Sequence, residues 1–161
     1  MKLDAFILAD TAGAYDNKLF VQGGGVSRLE AVQLPLMVAH LAVVARFLLD
    51  EDDPVYTTPT ALYLAFVAPN GELVVQAADV TVPPQPKDPA KMPGEEATMM
   101  VIIEAVNLVF KTEGMHHVTF KVNGDVVRDV SLPLRLRKAA QAPRAKKPAG
   151  APKNAQPRRR R

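Results

Sequence analysis

Few residues in this 161-residue chain have the types and spacing that chemistry requires, and the most conspicuous candidate is a run of glycines at residues 23–25. Consecutive glycines can let backbone amides approach an anion. A phosphate loop also needs a Lys and a Ser or Thr at a helix start, and a dinucleotide site needs spaced glycines, but residues 26–29 supply neither. We therefore predict a β-bulge or a tight corner at this run.

The three histidines are poorly spaced for metal binding. His116 and His117 are adjacent, so in a strand their rings point to opposite faces and cannot easily bind one ion together. Alternation groups His116 with Val118 and Phe120, which predicts a partly buried ring bonded to the backbone, and it leaves His117 in solvent. His40 stands alone in an apolar segment, which favours a hydrogen-bonded core histidine over a ligand.

The remaining reactive residue types do not form a recognisable catalytic motif. Four carboxylates at residues 50–53 could hold a calcium ion, but their spacing matches no EF-hand, so we predict a solvated acidic loop. Ser27 and Ser131 lie outside any G-x-S-x-G motif. The chain has no cysteine, which excludes thiol catalysis, zinc ribbons and disulfides within it. We predict no catalytic, metal or cofactor site.

The elements that must position these residues are predicted to be β-strands. Gly and Pro recur at short intervals, and the segments between them, such as residues 2–8 and 18–22, are rich in Val, Ile, Leu, Phe and Thr. The fold class is therefore all-β, an antiparallel β-sandwich of immunoglobulin-like or similar type over residues 1–136. Proline-rich residues 82–94 are expected to form an extended loop or flap.

Two Asn-Gly pairs and two long apolar segments decide the details of this prediction. Asn70-Gly71 and Asn123-Gly124 predict hairpins with type I′ turns, which require positive φ at both central residues. Residues 36–49 and 98–110 fit either a helix or a strand by period alone. We favour strands, because the second segment contains β-branched residues and the first can be read as one strand face. That face comprises Leu41, Val43, Ala45, Phe47 and Leu49.

Two stretches of the sequence carry a resemblance to a known family. The opening KLDAFILAD (residues 2–10) with KLFVQGGG (residues 18–25), and the closing residues 114–125, resemble an uncharacterised bacterial family that forms a domain of unknown function. Members commonly place an aromatic residue two positions after the glycine of the closing hairpin, where this chain has His116. The resemblance covers residues 1–136 and implies a compact β domain without implying an activity.

The net charge of +3 conceals two parts of opposite sign. Residues 1–136 contain 10 Lys or Arg and all 17 Asp or Glu, which gives −7, whereas residues 137–161 contain 10 basic residues and no acid, which gives +10. Residues 137–161 also lack the aromatic and β-branched residues that fill cores, so we predict a disordered basic tail. It is either a solubilising extension or a polyanion-binding segment. Its candidate binding residues are Lys146, Lys147, Lys153, Arg158, Arg159, Arg160 and Arg161.

These observations lead to a non-enzymatic role. We expect an interaction or accessory module with an unidentified protein partner, whose tail adds nonspecific affinity for nucleic acid or another polyanion. The alternative is a sandwich that binds a small ligand or a carbohydrate. We expect a cytoplasmic location without membrane association, because Asp4 and Asp10 bracket the only early apolar run, residues 5–9, and the longest apolar run, residues 36–49, is shorter than a membrane span of about 20 residues.

Overall fold

A computed structural model describes residues 1–16, 18–92 and 94–137. The predicted tail residues from Lys146 to Arg161 lie outside this description. The described residues form strands and one short 3₁₀ turn. In chain order these are β1 Lys2–Ala9, β2 Thr11–Tyr15, β3 Lys18–Gln22, β4 Leu29–Ala31, β5 Leu36–Leu49, the 3₁₀ turn Pro54–Tyr56, β6 Thr60–Val67, β7 Leu73–Val82, β8 Ala97–Phe110, β9 Gly114–Val122 and β10 Asp125–Leu136.

Two sheets pack around one core, as the β-sandwich prediction requires. A three-stranded sheet has the order β1-β5-β8, and a five-stranded sheet has the order β4-β10-β9-β6-β7. The ring of Phe120 on β9 lies 6.2 Å from that of Phe47 on β5 and 5.9 Å from that of Phe6 on β1. The pairing is antiparallel except at the short β4, which runs parallel to β10.

The two ambiguous apolar segments are both strands. Leu36–Leu49 pairs along its length with Ala97–Phe110, and the five residues predicted to share one face all lie in the core. Ala42 and Val44 point away from that core, yet they are buried as well. The β2–β3 hairpin lies over this side of the sheet, where Thr11 Oγ1 donates a hydrogen bond to Glu104 Oε1 at 3.0 Å.

The alternation of β8 changes at Asn107. Ala105 and Leu108 both lie in the core, although a regular strand turns residues three apart to opposite faces. Asn107 has a φ of 53°, in the left-handed region that asparagine tolerates better than most residues. This one residue brings Leu108 and Phe110 to the inner face, which places the Phe110 ring against His116.

The two predicted hairpin turns differ in type. Asn123 and Gly124 have φ values of 51° and 90°, as a type I′ turn requires, so that prediction is confirmed. Asn70 does not have positive φ, and the type I′ assignment there is wrong. The turn begins one residue earlier, because Pro69 presets the φ of a first central position. The Gly71 amide donates to Ala68 O at 2.9 Å, and Gly71 takes a φ of 84°, as in a type I turn followed by a bulge.

Between β7 and β8 the predicted flap is present. The described part of residues 83–96 contains turns but no strand, and the Gln85 amide donates to Val55 O at 2.8 Å, which holds the segment beside the 3₁₀ turn. Within the part that the structure describes, no helix has the length and apolarity needed to cross a bilayer.

Candidate functional site

A cleft of about 920 Å³ opens at one end of the sandwich. Three elements form it: the tip of the β2–β3 hairpin, the loop and 3₁₀ turn that follow β5, and the flap with the start of β8. The sequence predicted these elements separately, but residues so far apart along the chain gave no signal that they meet. The residues that line it include Tyr15, Asp16, Glu51, Tyr56, Lys87 and Glu96.

One wall of the cleft already holds a cation. The Lys87 ammonium lies 5.1 Å from the centre of the Tyr56 ring and donates a hydrogen bond to the Glu51 backbone oxygen. A cation over an aromatic face is attracted by the negative charge density of the ring. Burial raises the pKa of the Tyr56 hydroxyl, and the carboxylates of Asp53, Asp50 and Glu51 raise it further, so Tyr56 stays neutral at physiological pH.

The acidic loop beside this wall is only partly solvated. Asp50, Glu51 and Asp52 are exposed, but Asp53 is buried, so the prediction of a solvated loop is wrong at this position. The Asp53 carboxylate forms an ion pair with the α-amino group of Met1. A carboxylate is buried at acceptable cost only when it is paired. Asp53 directly precedes the 3₁₀ turn, and its side chain makes no capping hydrogen bond to that turn.

Another part of the cleft lining, at the tip of the β2–β3 hairpin, carries an exposed aromatic ring. Tyr15 ends β2, and its side chain is 77% exposed. Asp16 follows with a φ of 50°, a turn conformation that Asp adopts more readily than most residues. In the described part of the chain, cations lie over the rings of Tyr56 and Tyr63, whereas no cation lies over that of Tyr15.

Carboxylates outnumber ammonium groups among the residues that line the cleft. Five carboxylates face two ammonium groups, a formal charge of 2 − 5 = −3. Some of these carboxylates shape the flap: Asp88 Oδ1 accepts from the Ala90 amide at 2.8 Å, and Glu95 Oε2 accepts from the Met92 amide at 3.0 Å. The carboxylates are Asp16, Glu51, Asp88, Glu95 and Glu96, and the ammonium groups are Lys87 and Lys91.

The glycine run forms the tight corner that its sequence predicted. Gly23 and Gly25 have φ values of 63° and 85°. The amides of Gly25 and Val26 both donate to Leu8 O, at 2.9 and 3.0 Å. These amides are therefore engaged by the end of β1, and the run does not present them to an anion.

His116 is buried, as alternation predicted, and the burial is complete. Its Nδ1 lies 3.3 Å from Gly114 O, and its ring packs edge-on against Phe110 with 5.0 Å between centres. Its Nε2 is buried without a hydrogen-bond partner among the described residues. Burial lowers the pKa of the His116 ring, the hydrogen bond to Gly114 opposes this, and the charge of His117 lowers the pKa further.

His117 lies on the outer face, as predicted, but it belongs to a polar cluster. Its Nδ1 is 2.7 Å from Asp129 Oδ1, and Thr119 Oγ1 donates to Asp129 Oδ2 at 2.9 Å. The hydrogen bond from His117 lowers the pKa of Asp129. Ser131 lies opposite His117 in the strand register, but no hydrogen bond joins their side chains among the described contacts. The hairpin predicted at Asn123-Gly124 pairs β9 with β10, and this predicted pairing was the sequence signal that could have located the cluster.

The remaining histidine of the sequence, His40, is not among the residues that line the cleft. His40 is exposed, so its prediction as a core histidine is wrong: the inner face near the start of β5 is supplied by Val38 and Leu36 instead. Across the part of the chain that is described, no three His, Asp or Glu side chains converge as metal ligands would.

The comparison with known families agrees with the resemblance found in the opening and closing motifs. Residues 4–135 match a family described as a family of unknown function, DUF6941. The match covers most of the chain, and the chain belongs to this family. A search among curated proteins gives no match.

Proposed function

We propose that this chain is a non-enzymatic interaction or accessory module of the bacterial cytoplasm. In this proposal the β-sandwich engages a protein partner, and residues 137–161 bind nucleic acid or another polyanion without sequence preference. The observation that carries the proposal is the division of charge, −7 over residues 1–136 and +10 over residues 137–161. Ten cations without an intervening acid can release counterions from a polyanion. Residues 137–161 contain no aromatic side chain, so base stacking cannot add sequence preference.

The position of the last described residue supports an outward role for this segment. The Arg137 amide donates to Ala31 O at 2.7 Å at the β4–β10 edge. Glu30 there pairs with both Arg137 and Arg28, the latter at 3.0 Å. Arg135 is the register partner of Glu30, and the nearby Glu113 accepts from the Leu136 amide. This edge therefore carries three arginines and two glutamates, and we call it the basic root.

The basic root and the acidic cleft lie toward opposite ends of β10. Leu134 pairs with Gly114 near the root, whereas Asp125 begins the strand beside the turn at Asn123. Asn123 bonds to Ala61 at the start of β6, close in sequence to Tyr56 of the cleft. A 12-residue strand spans about 36 Å at roughly 3.3 Å per residue. This length is several times the Debye length of about 8 Å at physiological ionic strength, so the fixed charges of the basic root and those of the cleft attract each other little.

An electrophoretic mobility shift with two duplexes of unrelated sequence in about 50 mM salt tests the proposal. The full chain should shift both duplexes equally. A full-length variant in which seven residues are changed to Gln should bind at least tenfold more weakly, since binding of this kind depends on the number of cations. The changes are Lys146→Gln, Lys147→Gln, Lys153→Gln, Arg158→Gln, Arg159→Gln, Arg160→Gln and Arg161→Gln.

A matched control removes exposed cations from the sandwich instead. Arg46→Gln with Lys18→Gln should leave the shift unchanged within about twofold, because these residues lie away from the basic root. A full chain that leaves both duplexes unshifted, or a sevenfold variant that binds as well as the parent, would contradict the nucleic-acid part of the proposal.

The ligand-binding alternative is supported by the cleft, whose volume lies in the range of small-molecule sites. This alternative predicts that a neutral sugar or another small ligand binds in the cleft. Titration of neutral saccharides, followed by tyrosine NMR signals, distinguishes the two functions: shifts of Tyr15 and Tyr56 that saturate would favour the alternative.

A further inference from the structure

The two sheets meet along one side of the sandwich and are open along the other. The edge strands β7 and β8 lie in contact on the closed side. On the open side the edges are β1 and β10. The loop after β3 bridges them at one end, where the Gly25 and Val26 amides bond to Leu8 O and β4 then pairs with residues 134–136 of β10. Residues 125–133 of β10 therefore have β9 as their only strand neighbour among the described residues.

These residues, 125–133, form a free edge whose backbone can accept another strand. In an antiparallel pair every second residue turns its N–H and C=O away from the neighbouring strand, and a free edge presents these groups to any extended chain. Val126 and Val127 are 58% and 37% exposed, and Val130 is half-buried and packs against the core. The free edge thus combines a row of hydrogen-bonding groups with apolar side chains, as strand addition requires.

Two features of the free edge restrict which strand can pair with it. The register shifts between Val126 and Arg128, so a bulge at Val127 confines regular pairing to residues 128–133. Arg128 is the register partner of Phe120 and shares its core-facing row, yet Arg128 is exposed. Bulges and charged side chains in the inward row protect an edge against indiscriminate pairing. An added strand must therefore bring a partner for Arg128, which makes the edge selective.

The guanidinium group of Arg128 lacks such a partner within the part of the chain that the structure describes. It makes no ion pair there, whereas the neighbouring Asp129 is bonded to His117 and Thr119. A carboxylate can form two parallel hydrogen bonds with a guanidinium group. Asp125 lies in the same inward row, on the other side of the bulge, and would repel a second acid. The free edge therefore favours a segment with one carboxylate over a run of acids.

The charge around the free edge agrees with such an occupant. The charged residues of the edge, of the adjoining part of β9 and of the facing strand β1 with its ion-pair partner give 4 − 3 = +1, with histidine neutral. One carboxylate compensates this charge. Lys121 lies over the Tyr63 ring and Asp4 pairs with Arg46, so neither competes for the position beside Arg128. The residues counted are Lys2, Asp4, Arg46, Lys121, Asp125, Arg128 and Asp129.

We propose that residues 128–133 of β10 bind an extended segment of another protein as an added strand, in which apolar residues alternate and one Asp or Glu pairs with Arg128. The inference rests on the proposed function, because it gives the protein partner a binding surface. Residues 138–161 of the chain itself carry nine cations and no acid, so they would bring positive charge to Arg128. A second copy pairing antiparallel through the same edge would have to be centred near Arg128, because β4 occupies the edge from Leu134. Two guanidinium groups would then lie side by side.

An acetylated and amidated peptide, Ser-Val-Thr-Glu-Thr-Val-Ser, serves as the probe. Its sequence is the same in both directions, so it can place Glu beside Arg128 in either strand orientation. Amide NMR spectra of the full chain measure binding, with peptide added to a few times a Kd of about 1 mM. We expect shifts that saturate and are largest over residues 126–132. Absence of saturating shifts there would overturn the proposal.

Two substitutions test the ion pair. Arg128→Gln should weaken peptide binding about threefold or more, and so should Gln in place of the Glu of the peptide, because either change removes the ion pair. The matched control is Arg135→Gln, which removes an exposed arginine from the part of β10 that β4 covers and should bind like the parent chain. Equal weakening by both substitutions would show a general charge effect and overturn the assignment.

Peptides with methylated backbone amides test strand addition. One peptide is methylated at both Thr residues, and the other at Glu and both Val residues. Because alternate amides of a strand point to opposite sides, only one of these sets can face β10. One methylated peptide should therefore bind and the other should not, and equal binding by the two would overturn strand addition.

The remaining outcomes separate this inference from the proposed function and from other occupants. Arg128→Gln should leave duplex binding unchanged within about twofold, since one cation of the sandwich is removed. Duplex binding without peptide binding overturns the inference alone, and peptide binding by a chain that shifts no duplex supports the inference while the nucleic-acid function fails. Amide shifts at residues 128–132 between the parent and the sevenfold Gln variant would assign the edge to the chain's own segment. Self-association that the peptide reverses would assign it to a second copy, and either result would overturn another protein as occupant.

Discussion

The two faces of β9 differ in what their side chains contribute to the protein. His116, Val118 and Phe120 point inward and are fully buried, whereas His117 and Thr119 point outward and bond to Asp129 on the neighbouring strand. Adjacent histidines therefore lie in opposite environments only because strand alternation separates them. The inner face determines stability, and the outer face is a polar surface that should tolerate change.

The strongest test of this comparison is Phe120→Ala on the inner face. The Phe120 ring is completely buried and contacts the rings of Phe6 and Phe47. Truncation should lower the free energy of unfolding by about 3–5 kcal/mol, because a cavity remains in the core. Val126→Ala at an exposed position of β10 should change it by less than about 0.5 kcal/mol. Urea denaturation measures both, and a loss below about 1 kcal/mol for Phe120→Ala would contradict the assigned core.

The turn that aligns the two faces gives the next largest effect. Gly124 has a φ of 90°, and a β-branched residue there should cost about 1–3 kcal/mol of stability. Gly13 has no neighbouring atom within 4 Å of an added Cβ and does not have positive φ, so Gly13→Val is the matched control and should be nearly neutral. Thermal melts of both variants decide the point, and equal losses would refute the type I′ turn.

The pH dependence of stability should reveal His116. Its pKa is lowered in the folded state, so between that pKa and the ordinary value of about 6.5 the unfolded chain binds more protons. Stability is therefore complete above about pH 6.5 and is lost as pH falls towards the folded pKa, at no more than about 1.4 kcal/mol per pH unit. Urea midpoints at pH 7.5 and 5.5 measure this, and His116→Gln should reduce the difference. If His116→Gln leaves the difference between the two urea midpoints unchanged, His116 is not the cause of the pH dependence.

The smallest effect belongs to the outer face. The side chains of His117 and Asp129 are 43% and 45% exposed, and pairs of this kind contribute about 0.2–1 kcal/mol. The pKa of Asp129 is lowered in the folded state, so its contribution is present above its unfolded pKa and is lost as pH falls below that value. A double-mutant cycle of His117→Ala and Asp129→Asn at pH 6 should give a coupling within that range, and a coupling above about 2 kcal/mol would mean that the outer face is not a tolerant surface.

The sequence predicted those parts of the fold that depend on local alternation. The strand faces of β5 and β9 follow from apolar residues at every second position, and the Asn123-Gly124 turn follows from the φ values that these residues tolerate. Asn107 reverses the alternation of β8 by a change in its own backbone, which no periodic pattern anticipates. The turn between β6 and β7 begins one residue earlier than the Asn70-Gly71 pair predicted, because Pro69 takes its first central position. The fixed φ of proline was a sequence signal that could have indicated this.

The candidate site could not be predicted in the same way, because tertiary contacts assemble it. Tyr15 and Lys87 lie on different elements, and nothing in their local sequence indicates a shared cleft. Asp53 is buried by its pairing with the Met1 amino group, although three exposed acids precede it. The division of charge, by contrast, is a property of composition and could be read directly from the sequence.

The salt dependence of duplex binding tests the central claim, that residues 137–161 act outward on a polyanion. Fluorescence anisotropy of a labelled duplex gives log Kd against log salt concentration for the full chain and for the sevenfold Gln variant. We predict that affinity falls by roughly 10³-fold or more between 50 and 200 mM salt for the full chain, as expected when six or more phosphates are neutralised, and that the variant binds weakly with a shallow slope. The same slope and affinity for both proteins would contradict the claim.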